Sequence, residues 1–127
     1  MKILLLMVLG HILADFVLQP VALSQMKTKN WWVEECERNG IDFKNHNVDY
    51  LAALLMHSLS WSILILLPIM YGMHVSDVVL VDLFVVNTAV HCIVDDLKVN
   101  RYKVSMWTDQ VIHLLQIVVT FAFVVYY

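Results

Sequence analysis

The sequence predicts an all-α integral membrane protein, a four-helix bundle whose first helix is broken near Pro20. Three observations carry this expectation. Hydrophobic residues make up 61% of the 127-residue chain and charged residues 15%, with a mean hydropathy of +0.73. A soluble domain is nearer ~45–50% apolar and ~25% charged, so this chain lacks the polar surface to cover a water-facing globule. Four apolar stretches, at about 3–23, 51–73, 76–97 and 106–127, each approach the roughly 20 residues needed to cross a ~30 Å hydrocarbon core. Only three Gly and two Pro interrupt the whole chain.

The first stretch meets Pro20, which has no amide hydrogen and crowds the preceding turn, so the helix ends or bends there. A cleavable leader ending at Ala14 is an alternative reading of this segment. Ile12 stands where cleavage favours a small residue, and the cut would part His11 from Asp15, so the segment is kept as a helix. The polar stretch 25–49 then reads as a solvated connecting loop, with Trp31 and Trp32 suited to the headgroup level. Three further helices follow, the last two joined by the short polar segment 97–105. With four crossings, segments 25–49 and 97–105 share a side and hold all the Lys and Arg residues except Lys2. The positive-inside rule puts both basic segments in the cytoplasm and both termini outside. The net charge of −3 argues against nucleic acid, whose phosphates demand a basic excess. Cys36 and Cys92 make no disulfide framework.

Function is to be sought in the polar residues that remain inside these helices, where an ionisable group costs at least ~2.5–3.5 kcal/mol. His11 and Asp15, His91 and Asp95, and Asp109 and His113 are each four residues apart, so each pair shares one helix face. Gln19 extends the first stripe, Asn87 the third, and His57 stands on the second helix. At ~1.5 Å per residue the histidines lie roughly 10–13 Å in from the side of the basic segments. The order reverses to Asp before His in the last helix, which is what antiparallel helices need to bring these residues to one depth.

Imidazoles and carboxylates together suit a divalent transition metal, with zinc the expected ion. The candidate ligands are His11, Asp15, His57, His91, Asp95, Asp109 and His113. They exceed the needs of one ion, so either some aspartates orient histidines or two ions are held. A single His–Asp pair in a membrane helix is adequately explained as a mutual hydrogen bond; three pairs and a fourth His at one depth favour metal or proton chemistry. An Asp not bound to metal, with Asp15 and Asp109 foremost, would act as general base. Gln19 and Gln110 are candidates to hold a substrate oxygen, and Lys27 or Lys98 its charge. His46 and His74 read as solvated, Asp77 and Asp82 as near water at the outer end, Ser58, Ser60 and Ser62 as packing residues, and Cys92 as a small buried hydrophobe.

The segment GHILADFVLQP followed by Lys27, then MHS, HCIVDDLK and DQVIHL, resembles the small bacterial and phage membrane proteins grouped as domain-of-unknown-function family 3307. The likeness covers nearly the whole chain and takes in His11, Asp15, Gln19, Lys27, His57, His91, Asp95, Lys98, Asp109, Gln110 and His113. It implies a multi-pass protein of a bacterial-type inner membrane and no particular reaction. The 25–49 segment is longer than the family pattern, and both Lys27 and Lys29 stand near the family's lysine. A more distant likeness to inner-membrane proteins described as metal-dependent hydrolases is an analogy.

The expected function is a metal-dependent hydrolase in the cytoplasmic half of the bilayer, acting on a lipid-linked or membrane-delivered ester or phosphoester. The alternatives are a carrier or channel for metal ions or protons, and a non-enzymatic membrane interaction protein. The expected partners are the lipid bilayer, a lipid-linked substrate and, because four short helices enclose little volume, a second copy.

Overall fold

The computed structural model describes residues 1–126 and is all-α among them. Its helices are α1 (Lys2–Ile12), α2 (Val21–Met26), α3 (Lys29–Asn39), α4 (Asp49–Gly72), α5 (Asp77–Val99) and α6 (Met106–Tyr126). A π turn, Leu13–Val17, continues α1, and a 3-10 turn, Phe43–Asn45, precedes α4. Three helical runs, Phe43–Gly72, Asp77–Val99 and Met106–Tyr126, are long and apolar enough to cross a membrane. The outward faces carry Leu5, Val85, Ile93 and Val118, all exposed, while His91, Asp109 and His113 are fully buried. Apolar outside and polar within is the arrangement a bilayer selects.

The first helix departs from the expected 3–23. Helical backbone covers residues 2–17, about 24 Å at ~1.5 Å per residue, and stops three residues before Pro20. Leu18 donates its amide to the Leu13 carbonyl at 2.7 Å, the wide i to i−5 bond of a π turn, and Asp15 rides on that turn. Pro20 disfavours helical backbone at Gln19 and then starts α2 in extended conformation, so the chain changes direction here.

The 25–49 segment also differs from a solvated loop: α3 occupies much of it and ends at Gly40, whose φ of 66° closes the helix in the left-handed conformation. The Trp32 indole donates to the Met26 carbonyl at 2.9 Å and stacks on His46, which in turn meets the Asp49 carboxylate at 2.7 Å. His46 is therefore packed rather than free in solvent; His74 is exposed. Asn100 ties the segment down, accepting from the Lys29 amide at 2.7 Å and donating to the Lys27 carbonyl at 3.1 Å.

α1 lies antiparallel along α4, with Ile3 beside Gly72, Gly10 against Leu64, and Asp15 beside His57. The contact has a sequence cause. Pro68 has no amide hydrogen to give to the carbonyl four residues back, which is that of Leu64, and Gly10 presents no side chain to that same oxygen. Helix α4 also packs on α5, and α6 completes the bundle against α5 and α1. Met7, Trp61, Ile65, Ile69, Ile117 and Val124 form much of the apolar core.

Candidate metal centre

The three His–Asp pairs and His57 meet at the end of the bundle nearest segments 25–49 and 97–105. Contacts link all seven residues. His57 Nε2 lies 3.3 Å from Asp15 Oδ1 and 3.7 Å from Asp95 Oδ2. His113 Nε2 lies 3.6 Å from Asp95 Oδ1 and 3.2 Å from Asp109 Oδ1. His91 Nε2 lies 3.9 Å from Asp95 Oδ2, and its ring stacks on that of His113 with centroids 4.0 Å apart. His11 approaches Asp15 at 3.4 Å.

Asp15 and Asp109 are each held through one oxygen and turn the other toward an imidazole, whereas Asp95 Oδ2 meets Lys27 as well as His57 and His91, and its Oδ1 lies 3.6 Å from both Lys98 and His113. Asp95 Oδ2 accepts from Lys27 at 2.6 Å, and Asp109 Oδ2 accepts from Lys98 at 2.6 Å and from Gln110 at 3.0 Å. Asp15 Oδ2 accepts from Gln110 at 3.5 Å. Asp15 Oδ1 and Asp109 Oδ1, by contrast, are buried without a hydrogen-bond partner, as are both ring nitrogens of His91 and both of His113. A buried polar atom left unpaired costs ~1–3 kcal/mol, and nearly all such atoms in folded proteins find partners. The Nε2 atoms of His91 and His113 lie 3.2–3.9 Å from carboxylate oxygens of Asp95 and Asp109, close enough for such a set to hold an ion.

Two groups have donor atoms close enough to share an ion: Asp15, His57 and His91; and His91, Asp95 and His113. His91 belongs to both. The donor set fits zinc and its neighbours, which take nitrogen and oxygen ligands.

His11 stands apart. Its Nδ1 accepts from the Trp61 indole at 2.8 Å and its Nε2 meets Gln110 Oε1 at 3.1 Å, so both nitrogens are engaged and neither is turned to an ion. Lys27 and Lys98, expected near a mouth where they could meet substrate, instead lie on the carboxylates, with Lys27 buried and Lys98 half-buried. Gln19 accepts from Lys27 at 3.3 Å, and Gln110 bridges His11, Asp15 and Asp109, so both amides position other members of the cluster.

Trp61 escaped the sequence reasoning. It stacks on His91 at 4.3 Å between centroids while its N–H orients His11. Its position four residues after His57 on the same helix face was the available signal. A second polar layer lies beyond the histidines and is richer than Asn87 and Asp82 alone. Gln116 and Thr120 donate to Asn87 Oδ1 at 2.8 and 3.1 Å, and Thr88 donates to Ser62 at 3.0 Å. Ser58 and Ser60 bond back to the carbonyls of Leu54 and Met56 in their own helix.

The model of a protein family of unknown function, DUF3307, matches residues 3–127. The chain belongs to the DUF3307 family. No curated protein and no solved structure gives a significant match, and nothing supports the more distant hydrolase relation. For this DUF3307 protein the buried His and Asp groups that could hold a metal are therefore the principal functional evidence.

Proposed function

We propose that this protein is a membrane-embedded, divalent metal-dependent hydrolase acting on a lipid-linked or membrane-delivered ester or phosphoester. The observation that carries the reading is the stacked pair His91 and His113, whose ring nitrogens are buried without a hydrogen bond and whose Nε2 atoms lie 3.2–3.9 Å from Asp95 and Asp109. His91, His113 and Asp95 would hold the ion, with His57 and Asp15 beside them through the shared His91. An ion such as zinc held there would lower the pKa of water toward neutrality and so could supply the nucleophile.

Lys27 holds Asp95 Oδ2 and Lys98 holds Asp109 Oδ2, which leaves Asp109 Oδ1 toward His113. Asp15 Oδ1, facing His57 at 3.3 Å, is the base this arrangement favours. Trp61 and Gln110 engage both nitrogens of His11, and Gln110 is also the donor to Asp15 Oδ2.

In this reading α1 with its π turn counts as a fourth crossing, and the basic segments face the cytoplasm of a bacterial-type inner membrane by the positive-inside rule. The second polar layer favours a proton or ion conduit as the rival reading. Met7, Ile65, Ile69 and Val124, buried beyond that layer, weigh against a through path.

Elemental analysis of purified protein tests the proposal. One or two transition-metal ions per chain are expected, with loss of the ion and retained helical circular dichroism in His91→Ala. Excess chelator should lower thermal stability, since an ion bound only by the folded state must stabilise it. No ion, with stability unchanged by chelator, would overturn the metal centre. Metal without release of phosphate or alcohol from any lipid offered, but with ion or proton flux in proteoliposomes, would replace the hydrolase with the conduit.

A further inference from the structure

Residues 18–28 form a strap from the π turn of α1 to the start of α3. Pro20 and Thr28, both extended, stand near its two ends, with the six residues of α2 between them. Val21, Ala22, Ser24 and Gln25 are exposed and Leu23 and Met26 half-buried, so little apolar burial holds the strap down. Among the described residues, its hydrogen bonds to the spanning helices reach two partners, Asp95 in α5 and Asn100 just past the end of α5. Lys27 Nζ donates to Asp95, and the Lys27 carbonyl accepts from Asn100 at 3.1 Å. Asn100 also accepts from the next amide but one, that of Lys29, at 2.7 Å.

The strap places its one buried side chain on an oxygen that an ion would need. Lys27 Nζ lies 2.6 Å from Asp95 Oδ2, and His57 Nε2 and His91 Nε2 lie 3.7 and 3.9 Å from that same oxygen. Two ligands of one tetrahedral zinc, each ~2.0–2.1 Å from it, stand ~3.3 Å apart. Asp95 Oδ2 therefore needs to close by only about 0.5 Å to share an ion with either histidine. A buried carboxylate needs a cation beside it, and the Lys27 ammonium is one that the chain itself brings. An ammonium and a divalent cation on one oxygen repel each other, so each weakens the hold of the other. Lys98, 3.6 Å from Asp95 Oδ1, is no such competitor: it stands three residues from Asp95 on the same helix and cannot leave it. Lys27 is 68 residues away in sequence and rides on the strap.

We propose that Lys27 is an exchangeable latch on the metal centre: its ammonium and an incoming divalent cation compete for Asp95 Oδ2, and the arrival of the ion frees the strap 18–28. The latch rests on the metal centre of the reading above, to which it adds regulation, and it is independent of the reaction catalysed there. Linkage makes the competition reciprocal. By whatever factor the docked lysine weakens the ion, the ion weakens the docking. A Lys27–Asp95 pair that only shapes the site has the opposite sign, because removing the lysine then costs affinity for the ion.

The test uses the full chain in nanodiscs with Co²⁺ alone as the probe, its binding followed by visible absorption. Lys27→Met should bind Co²⁺ about tenfold more tightly than the parent, within the ~5–150-fold range of coupled sites. Asn100→Ala keeps every group of the centre and cuts the backbone ties of the strap, so it should take up Co²⁺ severalfold faster. It also carries the test if circular dichroism shows that Lys27→Met does not fold. In the parent, Co²⁺ should quicken amide hydrogen exchange at residues 20–29 while slowing it in α4 and α5. Co²⁺ binding in folded Lys27→Met that is equal to or weaker than the parent's would overturn the latch, as would uptake by Asn100→Ala no faster than the parent's. Exchange at 20–29 that slows with the rest of the chain would overturn it too. Any of these results in a parent that binds Co²⁺ removes the latch and leaves the metal centre standing. Co²⁺ bound by none of the three proteins would overturn both.

Discussion

Gly10→Ala tests whether the α1/α4 contact sets the geometry of the centre. A Cβ at Gly10 would stand 2.6 Å from the Leu64 carbonyl oxygen and 3.0 Å from its carbon, both backbone atoms that cannot swing aside. Ordinary contact starts near 3.4 Å, so α1 must withdraw by about 0.8 Å. His11 is the next residue, and its 2.8 Å bond from Trp61 would lengthen to about 3.6 Å by the same displacement, beyond hydrogen-bond range. Overpacking of this kind costs ~1–3 kcal/mol, and an orphaned His11 nitrogen adds a comparable ~1–3 kcal/mol. Gly72→Ala is the internal control, because there a Cβ meets only the Ile3 side-chain tip at 3.0 Å, which can rotate away. Reversible unfolding in detergent, paired with ion content by elemental analysis, should show Gly10→Ala destabilised and depleted of ion while Gly72→Ala matches the parent. A Gly10→Ala protein as stable as the parent, with the same ion content, would refute the claim that this close approach positions Asp15 and His11. Helix propensity alone predicts that opposite result, since Ala exceeds Gly in a helix by ~1 kcal/mol.

Trp61→Phe keeps the stack on His91 but deletes the donor to His11; a loss of ~1–3 kcal/mol in unfolding free energy is expected, and no loss would mean that His11 finds another partner. Asp109→Asn should abolish hydrolysis, since it removes the charge that holds Lys98 and faces His113, while Asp82→Asn, exposed at the far end, should leave it within about twofold; equal loss in both, measured as phosphate or alcohol release beside proteoliposome flux, would favour the conduit. Reporter fusions at Tyr127 should place that terminus outside, with 25–49 inside, as expected from seven of eight basic residues on one side; a cytoplasmic C-terminus would overturn the orientation and move the site to the outer leaflet.

Composition and periodicity point to a bilayer as the solvent and to helices as the class of structure for a physical reason that needs no folding. A chain with 61% hydrophobic residues cannot hide them from water, and long apolar runs without breakers in a bilayer must satisfy their backbones as helices. The His and Asp pairs are equally legible, because a four-residue spacing fixes two side chains to one helix face whatever surrounds it. What periodicity does not contain is the rotation and packing of one helix against another. That is why His11, identical in spacing to His91, ends with both nitrogens engaged by Trp61 and Gln110 while both nitrogens of His91 remain unpaired. It is also why Lys27, drawn as part of a solvated loop, is buried on Asp95: the break at Pro20 turns the chain back, and Asn100, far away in sequence, pins the return. The second polar layer depends in the same way on partners 29 and 33 residues apart for Asn87 and 26 for Thr88. Local spacing selects which residues share a face; only the packing of α1, α4, α5 and α6 decides which lone pairs converge and which are already taken.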